Sequence, residues 1–263
     1  MNTTATRSGY APVNGLRMYY EIHGEGAPLV LIHGALSGIG TSFGQLLPPL
    51  AADRQVVAVE LQAHARTADA DRPLTVEQLA DDVAGVLAYL GLTRVDVLGY
   101  SLGAAVALRL AESRPELVDH LVLVSVTYDE SGFHPGLMEG IAQLQPEHLV
   151  GTPFHEEYLA LAPQPERFAD LIAKVKGLDA NPPSWTADQI AALRPATMVV
   201  IGDSDIVRPE HAVEMFRLLG GGVAGDNVGL PRCRLAILPG TTHITVAYRA
   251  DWLAPMVAEF LGS

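Results

Sequence analysis

The sequence has little cysteine, few basic residues and no long apolar run, and each shortage excludes a class of protein. Cys233 is the only cysteine among 263 residues, which excludes an internal disulfide and a cysteine-ligated metal cluster. Lys and Arg number 17 against 30 for Asp and Glu, so the formal net charge of −13 disfavours binding to nucleic acid or to an anionic membrane surface. No stretch reaches the roughly 20 apolar residues that a membrane-spanning helix needs.

Length and composition favour a globular protein with one large core. Because 49% of the residues are hydrophobic, the chain can form one large domain or a domain with an insertion. The first nine residues are polar and lack an apolar signal core. We therefore expect a soluble, cytoplasmic monomer or homodimer with no nucleic-acid or membrane partner.

Apolar runs and helical patterns alternate along the first half of the chain. Continuous apolar runs, typical of strands buried on both faces, occur at residues 28–32, 55–60, 95–100 and 120–125. Helical patterns occur between them at residues 43–50, 74–90 and 102–114. An earlier run at residues 16–22 predicts one strand of a hairpin. Alternation of this kind predicts an α/β fold with a parallel sheet.

The alternation stops after residue 126 and resumes at residue 196. Residues 128–194 show no clear strand, and prolines separate helix-like pieces at 135–143, 155–161, 166–175 and 187–193. This stretch is too long for an ordinary loop in a compact domain. We predict a helical cap over residues 128–194, inserted into a core of residues 1–127 and 195–263. The alternative is a group of helices that packs away from the functional site.

The last part of the chain returns to the α/β pattern. Strands are predicted at residues 196–201 and 233–238, and helices at residues 209–219 and 250–261. A glycine-rich loop is predicted between them at residues 220–230.

The sequence Gly99-Tyr100-Ser101-Leu102-Gly103 lies between an apolar run and a helix that begins with small residues. Gly99 and Gly103 remove the Cβ atoms that would collide when a strand and a helix approach closely. The helix N-terminus then directs N–H groups toward negative charge that forms beside Ser101. This pattern is typical of a nucleophile elbow, although five residues alone also fit an ordinary turn that contains a serine.

Ser101, Asp205 and His243 each follow the carboxyl end of a predicted strand, the edge of a parallel sheet where ligands bind. A serine hydroxyl needs an imidazole to take its proton, and the imidazole needs a carboxylate to orient it. The order Ser, Asp, His along the chain suits this chemistry. Asp203 and Asp129 are competing carboxylates, and His243 could instead be a surface residue of the last loop.

The remaining site residues are predicted from their places beside these three. Backbone N–H groups of Ala35 and Leu102 would bind a developing oxyanion. His33 is interpreted as structural. We expect a substrate pocket lined by apolar and aromatic side chains of the loops and the cap: Leu36, Tyr100, Tyr128, Phe133, Met138, Phe154, Tyr158, Trp185 and Val207.

Four motifs together resemble the α/β-hydrolase superfamily, in its capped serine esterase and lactonase type: His33-Gly34, Gly99-x-Ser101-x-Gly103, Gly202-Asp203-Ser204-Asp205 and Pro239-Gly240-Thr241-Thr242-His243. The resemblance implies an eight-stranded, mostly parallel sheet with helices on both faces, a Ser-His-Asp triad, a small-molecule substrate, and no cofactor or metal. One departure is the stretch Glu60-Leu61-Gln62-Ala63-His64-Ala65, where many relatives have an Asp and a Gly-x-Gly turn.

These features predict a serine hydrolase that cleaves a carboxylic ester or a lactone through an acyl-enzyme. Alternatives that the same residues leave open are a lactonase for acyl-homoserine lactones or macrolactones, a C–C bond hydrolase, a cofactor-free perhydrolase and a ligand receptor with slow turnover. Epoxide hydrolases and haloalkane dehalogenases are disfavoured because their elbow nucleophile is an Asp.

Overall fold

Eight strands form the centre of the molecule in the computed structural model, which describes residues 7–262. They are β1 (Arg7–Val13), β2 (Leu16–His23), β3 (Ala27–Ile32), β4 (Arg54–Val59), β5 (Val95–Tyr100), β6 (Val118–Val124), β7 (Ala196–Ser204) and β8 (Arg234–Thr242). Their order in the sheet is β1-β2-β4-β3-β5-β6-β7-β8. β1 and β2 pair antiparallel, β2 is antiparallel to β4, and the other neighbours are parallel. The predicted eight-stranded, mostly parallel sheet is confirmed.

Helices cover both faces of the sheet, as predicted. The helices are α1 (Ile39–Phe43), α2 (Leu47–Leu50), α3 (Val76–Tyr89), α4 (Leu102–Ser113), α5 (Leu137–Ala142), α6 (Pro153–Leu161), α7 (Phe168–Asp179), α8 (Ala187–Ala191), α9 (Pro209–Leu218), α10 (Gly225–Val228), α11 (His243–Val246) and α12 (Ala250–Leu261). α3 and α4 pack in an apolar core with Leu79 and Leu108, whereas α2 and α12 pack in a second core with Leu50 and Phe260. No helix among the described residues is long and apolar enough to cross a membrane.

The N-terminal hairpin contains β1, a strand whose limits were not predicted from the sequence. β1 pairs with β2 through the two-residue turn Asn14-Gly15, whose φ angles are +48° and +82°. An Asn-Gly pair favours this turn because both residues tolerate a left-handed backbone. The signal was therefore present in the sequence, and it marks where β1 ends.

Two local predictions were wrong. Residues 43–50 form the end of α1 and the separate helix α2 instead of one helix, because Pro48 and Pro49 lack the N–H groups that a continuous helix would need. Residues 220–230, predicted as a loop, include the short helix α10.

The segment between β6 and β7 contains α5, α6, α7 and α8 together with the 3₁₀ turns Glu130–Gly132, Pro146–Leu149 and Pro165–Arg167. Buried side chains of α6, α7 and α8 join the apolar core that also contains α3 and α4. The segment is therefore packed on the body of the protein by hydrophobic contact. Its function as a cap over residues 128–194, and the division of the chain that follows from it, stay predictions.

β3, β5 and α4 approach one another so closely that two glycines are required. A Cβ atom placed on Gly103 would lie 2.0 Å from the Ile32 carbonyl oxygen, and one on Gly99 would lie 2.2 Å from the Gly103 oxygen. Both neighbours are backbone atoms, which cannot move aside as a flexible side chain can. These contacts fix the start of α4 against the ends of β3 and β5.

Replacing Gly103 by alanine should lower the free energy of unfolding by about 3 kcal/mol or more, because the added methyl group meets backbone. The matched control is Gly177→Ala in α7, where a Cβ atom would meet nothing within 4 Å. That change should be neutral or stabilise by up to about 1 kcal/mol through helix propensity. Urea unfolding monitored by tryptophan fluorescence measures the stability of both variants. Equal effects of the two substitutions would contradict the close approach.

Candidate active site

Ser101 occupies the tight turn between β5 and α4. Its φ and ψ angles are +54° and −119°, a conformation that costs a residue with a side chain about 1–3 kcal/mol. The Ser101 N–H donates to the Val124 oxygen at 2.9 Å, which holds the turn against β6. Its hydroxyl oxygen lies 2.9 Å from His243 Nε2. The strained turn therefore presents the serine side chain to the imidazole.

His243 follows β8 directly as the first residue of α11. Its Nδ1 lies 2.9 Å from Asp205 Oδ1, and the Tyr100 hydroxyl donates to its backbone oxygen at 2.9 Å. Because a carboxylate accepts at Nδ1, the neutral ring carries its proton there and leaves Nε2 free to accept from Ser101. Tyr100 thus holds the backbone that carries this ring.

Asp205 is buried and nonetheless stays ionised. Burial raises the pKa of its carboxyl group, but hydrogen bonds from His243, the Ser125 hydroxyl and the Gly202 N–H outweigh burial and hold the pKa below its usual value. A depressed pKa means that the carboxylate stabilises the fold above its unfolded pKa and that this stability is lost as the pH falls through the folded pKa.

Ser125 is a site residue that the sequence interpretation missed. It follows β6 directly, has a positive φ of +57°, and donates its hydroxyl hydrogen to Asp205 Oδ2. Its place after a buried strand is the same as that of Ser101, so strand position was the available signal.

The competing carboxylates have other partners. Asp203 accepts from the backbone N–H groups of Gly240 at 2.9 Å and Thr241 at 3.3 Å, while Asp129 accepts from Ser131. Neither forms a hydrogen bond with His243. The structure therefore brings together the three residues that the sequence interpretation preferred.

The backbone N–H groups of Ala35 and Leu102 lie beside Ser101, and neither has an acceptor among the described residues. Both residues line the same cavity as Ser101. His33 fixes the segment before Ala35: its Nδ1 donates to the Gly34 oxygen at 2.8 Å, and its Nε2 accepts from the Leu61 N–H at 3.0 Å. Burial lowers the pKa of His33 to about 4, so this structural imidazole is neutral.

A cavity of about 380 Å³ opens beside Ser101 and His243. Five of the predicted pocket residues line it: Leu36, Tyr100, Phe133, Met138 and Phe154. Apolar residues that were not predicted as pocket residues also line it: Ala105, Val126, Leu137, Ile141, Leu144, Val175, Leu178, Pro182, Pro183, Ile206 and Ile244. Most of them come from the segment between β6 and β7.

Four predicted pocket residues do not line the cavity, and each has a packing partner instead. Tyr128 stacks on His211 with ring centroids 4.2 Å apart, and Tyr158 packs against Phe168. Trp185 is 2% exposed and donates from Nε1 to Glu112 at 3.1 Å. Val207 is fully buried and forms a backbone bridge with Phe133. The contacts of Tyr128, Trp185 and Val207 join the inserted segment to the body of the protein, and that of Tyr158 joins α6 to α7. The apolar character of these side chains therefore reflects packing.

One group of potential metal ligands lies in the described part of the chain, away from this cavity. Asp96, Asp119 and His120 stand at the amino ends of β5 and β6, the sheet edge opposite Ser101. Asp96 already pairs with Arg54 and His120, and Asp119 pairs with Arg94. These ion pairs account for the cluster.

Comparison with known proteins identifies the family of this chain. Residues 27–189 match the family described as alpha/beta hydrolase fold. The chain belongs to the α/β-hydrolase family.

Among curated relatives, the 2-hydroxymuconate semialdehyde hydrolase of Pseudomonas sp. strain CF600 is 26% identical over 278 residues, which cover 94% of this α/β hydrolase and 91% of the relative. Among solved structures, the meta-cleavage product hydrolase of Pseudomonas fluorescens IP01 has a TM-score of 0.75 at 17% identity and covers 98% of both chains. The enol-lactonase of Burkholderia xenovorans LB400 has a TM-score of 0.71 at 20% identity, over 97% of this chain and all of that one. These structural likenesses show the fold.

Residues 60–65, which follow β4 in this α/β hydrolase, include two alanines with a left-handed backbone. Ala63 and Ala65 have positive φ angles of +64° and +42°, where glycine is favoured. The pKa of nearby Glu60 is raised to about 7 by burial, although Arg66 pairs with its carboxylate. The two alanines therefore occupy the left-handed conformation that a Gly-x-Gly turn would adopt without strain.

Glu157 of α6 joins the inserted helices to the segment that follows β3. Its carboxylate accepts from the N–H groups of Gly38 at 2.7 Å and Thr41 at 3.0 Å, at the start of α1. A carboxylate at the N-terminus of a helix satisfies donors that have no partner within the helix. Through Glu157, the inserted helices thus hold in place the segment that carries Ala35 and Leu36.

Replacing Glu157 by alanine should lower the free energy of unfolding by about 1.5–3 kcal/mol, because two N–H groups lose a charged acceptor. The adjacent Glu156 is exposed and lies 3.6 Å from His155, so Glu156→Ala should change stability by no more than about 0.5 kcal/mol. Chemical unfolding compares the two variants, and limited proteolysis should cut residues 130–191 faster only in Glu157→Ala. Similar behaviour of both variants would show that the contact contributes nothing.

Proposed function

We propose that the protein is a carboxylic ester hydrolase that acts through an acyl-enzyme on Ser101. The observation that carries this proposal is the chain of contacts from Ser101 through His243 to Asp205, with 2.9 Å at both hydrogen bonds, beside an apolar cavity. A hydroxyl in this relation to an imidazole and a carboxylate is activated as a nucleophile. Membership of the α/β-hydrolase family supports hydrolysis as the type of reaction.

In the first half-reaction, Ser101 Oγ bonds to the carbonyl carbon while its proton passes to His243 Nε2. The carbonyl π electrons move to oxygen and form a tetrahedral oxyanion. When the oxyanion collapses, the bond to the alcohol oxygen breaks, and that oxygen takes the proton from His243. In the second half-reaction, water gives a proton to His243 and bonds to the acyl carbon, and Ser101 leaves with that proton.

Asp205 stabilises the imidazolium that exists in both half-reactions. Its low pKa keeps it ionised at neutral pH, and its bond to Nδ1 holds the ring toward Ser101. The free N–H groups of Ala35 and Leu102 would bind the oxyanion. Preorganised donors of this kind contribute about 10²–10³ in rate each.

The cavity favours an uncharged or cationic reactant over an anionic one. Its lining contains no Arg or Lys among the described residues, and apolar side chains predominate. An anion would lose its hydration without gaining a cationic partner, which costs several kcal/mol. An ester with an apolar acyl or alcohol portion suits these walls.

Hydrolysis of a C–C bond is the second candidate, because the Pseudomonas relative that matches 94% of the chain is named a 2-hydroxymuconate semialdehyde hydrolase. A muconate semialdehyde carries a carboxylate at neutral pH. The absence of Arg and Lys from the described cavity lining disfavours such an anion. Ester hydrolysis is therefore the leading proposal.

Replacing Ser101 by alanine should reduce kcat/KM for 4-nitrophenyl butanoate by a factor of about 10⁴ to 10⁶, since the nucleophile is removed. The matched control is Ser113→Ala at the other end of α4, where the hydroxyl donates to the Arg109 oxygen at the surface. That variant should keep the wild-type rate. Nitrophenolate release measures both, and undiminished turnover by Ser101→Ala would refute the acyl-enzyme.

A panel of reactants separates the related activities. It contains neutral esters of several sizes, acyl-homoserine lactones, a macrolactone, 2-hydroxymuconate semialdehyde, and an ester with hydrogen peroxide, with Ser101→Ala protein as the blank. Ester hydrolysis above that blank supports the proposal. Turnover confined to lactones, to the semialdehyde or to peracid formation would replace it, and a single turnover per chain would indicate a receptor.

A further inference from the structure

One carboxylate lines the cavity without a partner. Asp179 is the last residue of α7 and is half-buried beside Leu178 and Pro182 in the wall of the cavity that Ser101 also lines. Its carboxylate forms no hydrogen bond and no ion pair with any of residues 7–262. Asp205, by contrast, accepts from a hydroxyl, an imidazole and backbone N–H groups. Asp179 therefore stands in an apolar wall with its acceptor capacity unused.

The charged groups nearest in sequence are already bound elsewhere. Lys174 donates to Asp69 at 2.7 Å and to two backbone oxygens, and Lys176 donates to the Leu144 oxygen at 3.1 Å. Asp170, in the first turn of α7, pairs with Arg167. The cations of this helix are thus unavailable to Asp179.

The elements packed against α7 supply no partner either. Their charged and titratable side chains, and those that share the cavity, are Glu139, Glu147, His148, His155, Glu156, Glu157, Tyr158, Glu166, Arg167, Tyr100 and His243. None of them forms an ion pair or a hydrogen bond with Asp179. Burial alone raises the pKa of Asp179, to about 6, so the carboxyl group is ionised above that pH and neutral below it.

The position of Asp179 on α7 adds to its negative field. The C-terminal end of a helix carries partial negative charge, which favours a cation in the last turn and disfavours a carboxylate. The last turn of α7 contains Lys176, which donates to the Leu144 oxygen and does not line the cavity, and Asp179, whose carboxylate does. A cation in the cavity would be attracted by both the carboxylate and the helix end.

We propose that Asp179 binds a positively charged nitrogen on the substrate, so that the protein selects esters that combine an apolar portion with one cationic group. This selectivity rests on the proposed ester hydrolysis at Ser101. The carboxylate and the nucleophile line the same cavity, so one molecule can occupy both places. The apolar walls between them suit the hydrocarbon that would join the ester to the cation.

The test compares isosteric pairs of butanoate esters, ω-trimethylammonioalkyl against the corresponding tert-butylalkyl ester, with linkers of increasing length. The quaternary nitrogen has the same charge at every pH, so a pH effect reports the protein. At one linker length or more, the wild type should prefer the cationic ester by about tenfold in kcat/KM above pH 7. Asp179→Asn should abolish this preference, and Asp170→Asn, which removes the same charge from the surface of α7, should retain it.

The preference should also follow the ionisation of Asp179. It should be present above pH 6 and lost as the pH falls below 6, because the carboxyl group then becomes neutral. Asp179→Asn should show no such change in the ratio. An equal ratio in wild type and Asp179→Asn at all linker lengths, or an equal loss in Asp170→Asn, would overturn the assignment.

Direct binding separates this proposal from the proposed reaction. Isothermal titration of Ser101→Ala protein with hexyltrimethylammonium should show binding about tenfold tighter than in the Ser101→Ala/Asp179→Asn protein. If no ester is hydrolysed but this difference is present, the proposed reaction fails and the cation site stands. If esters are hydrolysed and neither titration nor kinetics depends on Asp179, the cation site fails and the reaction stands.

Discussion

The backbone of α4 touches the end of β3 so closely that residue 103 has room only for hydrogen on its Cα atom. This contact sets the distance between two chain segments that are remote in sequence, the turn at Ser101 and the turn at Gly34 and Ala35. Because both turns follow buried parallel strands, the free N–H groups of Ala35 and Leu102 line one cavity with the serine hydroxyl. The chemistry proposed for Ser101 depends on this packing before it depends on any charge.

Two carboxyl groups in and beside the cavity show how surroundings decide ionisation. Asp205 is buried, yet donors on three sides keep its pKa low, so it can support a positive imidazole. Asp179 is less enclosed but has no donor, and its pKa is raised to about 6. The Asp205 carboxylate thus has its hydrogen-bond donors within the protein, whereas the Asp179 carboxylate is left to be paired by a reactant. Such a contrast is expected where one group serves the reaction and another serves recognition.

The part of the site that follows from strand order could be predicted from the sequence. Apolar runs locate the strands, and Ser101, Asp205 and His243 each come directly after one, so their meeting at one edge of the sheet follows from topology. Ser125 obeys the same rule but was missed, since a serine after a strand has no motif around it.

The pocket wall could be predicted only in part, because sequence does not say which face of an inserted helix meets the cavity. Large aromatic residues were the natural candidates. Tyr158 instead packs on Phe168 within the inserted segment, and Trp185 joins that segment to α4 through Glu112. The wall consists mainly of Leu, Ile, Val and Pro side chains. Asp179 gave no signal at all, since its lack of a partner is a property of the packed structure.

The two hydrogen bonds that Glu157 accepts would impose an order on events during the proposed turnover. They join α6 to the N–H groups of Gly38 and Thr41, just beyond the segment that carries Ala35. A reactant that entered by displacing α6 would break both bonds and release that segment. Along such a route, admission of the reactant and stabilisation of the oxyanion would be successive states, and each turnover would require the contact to form again.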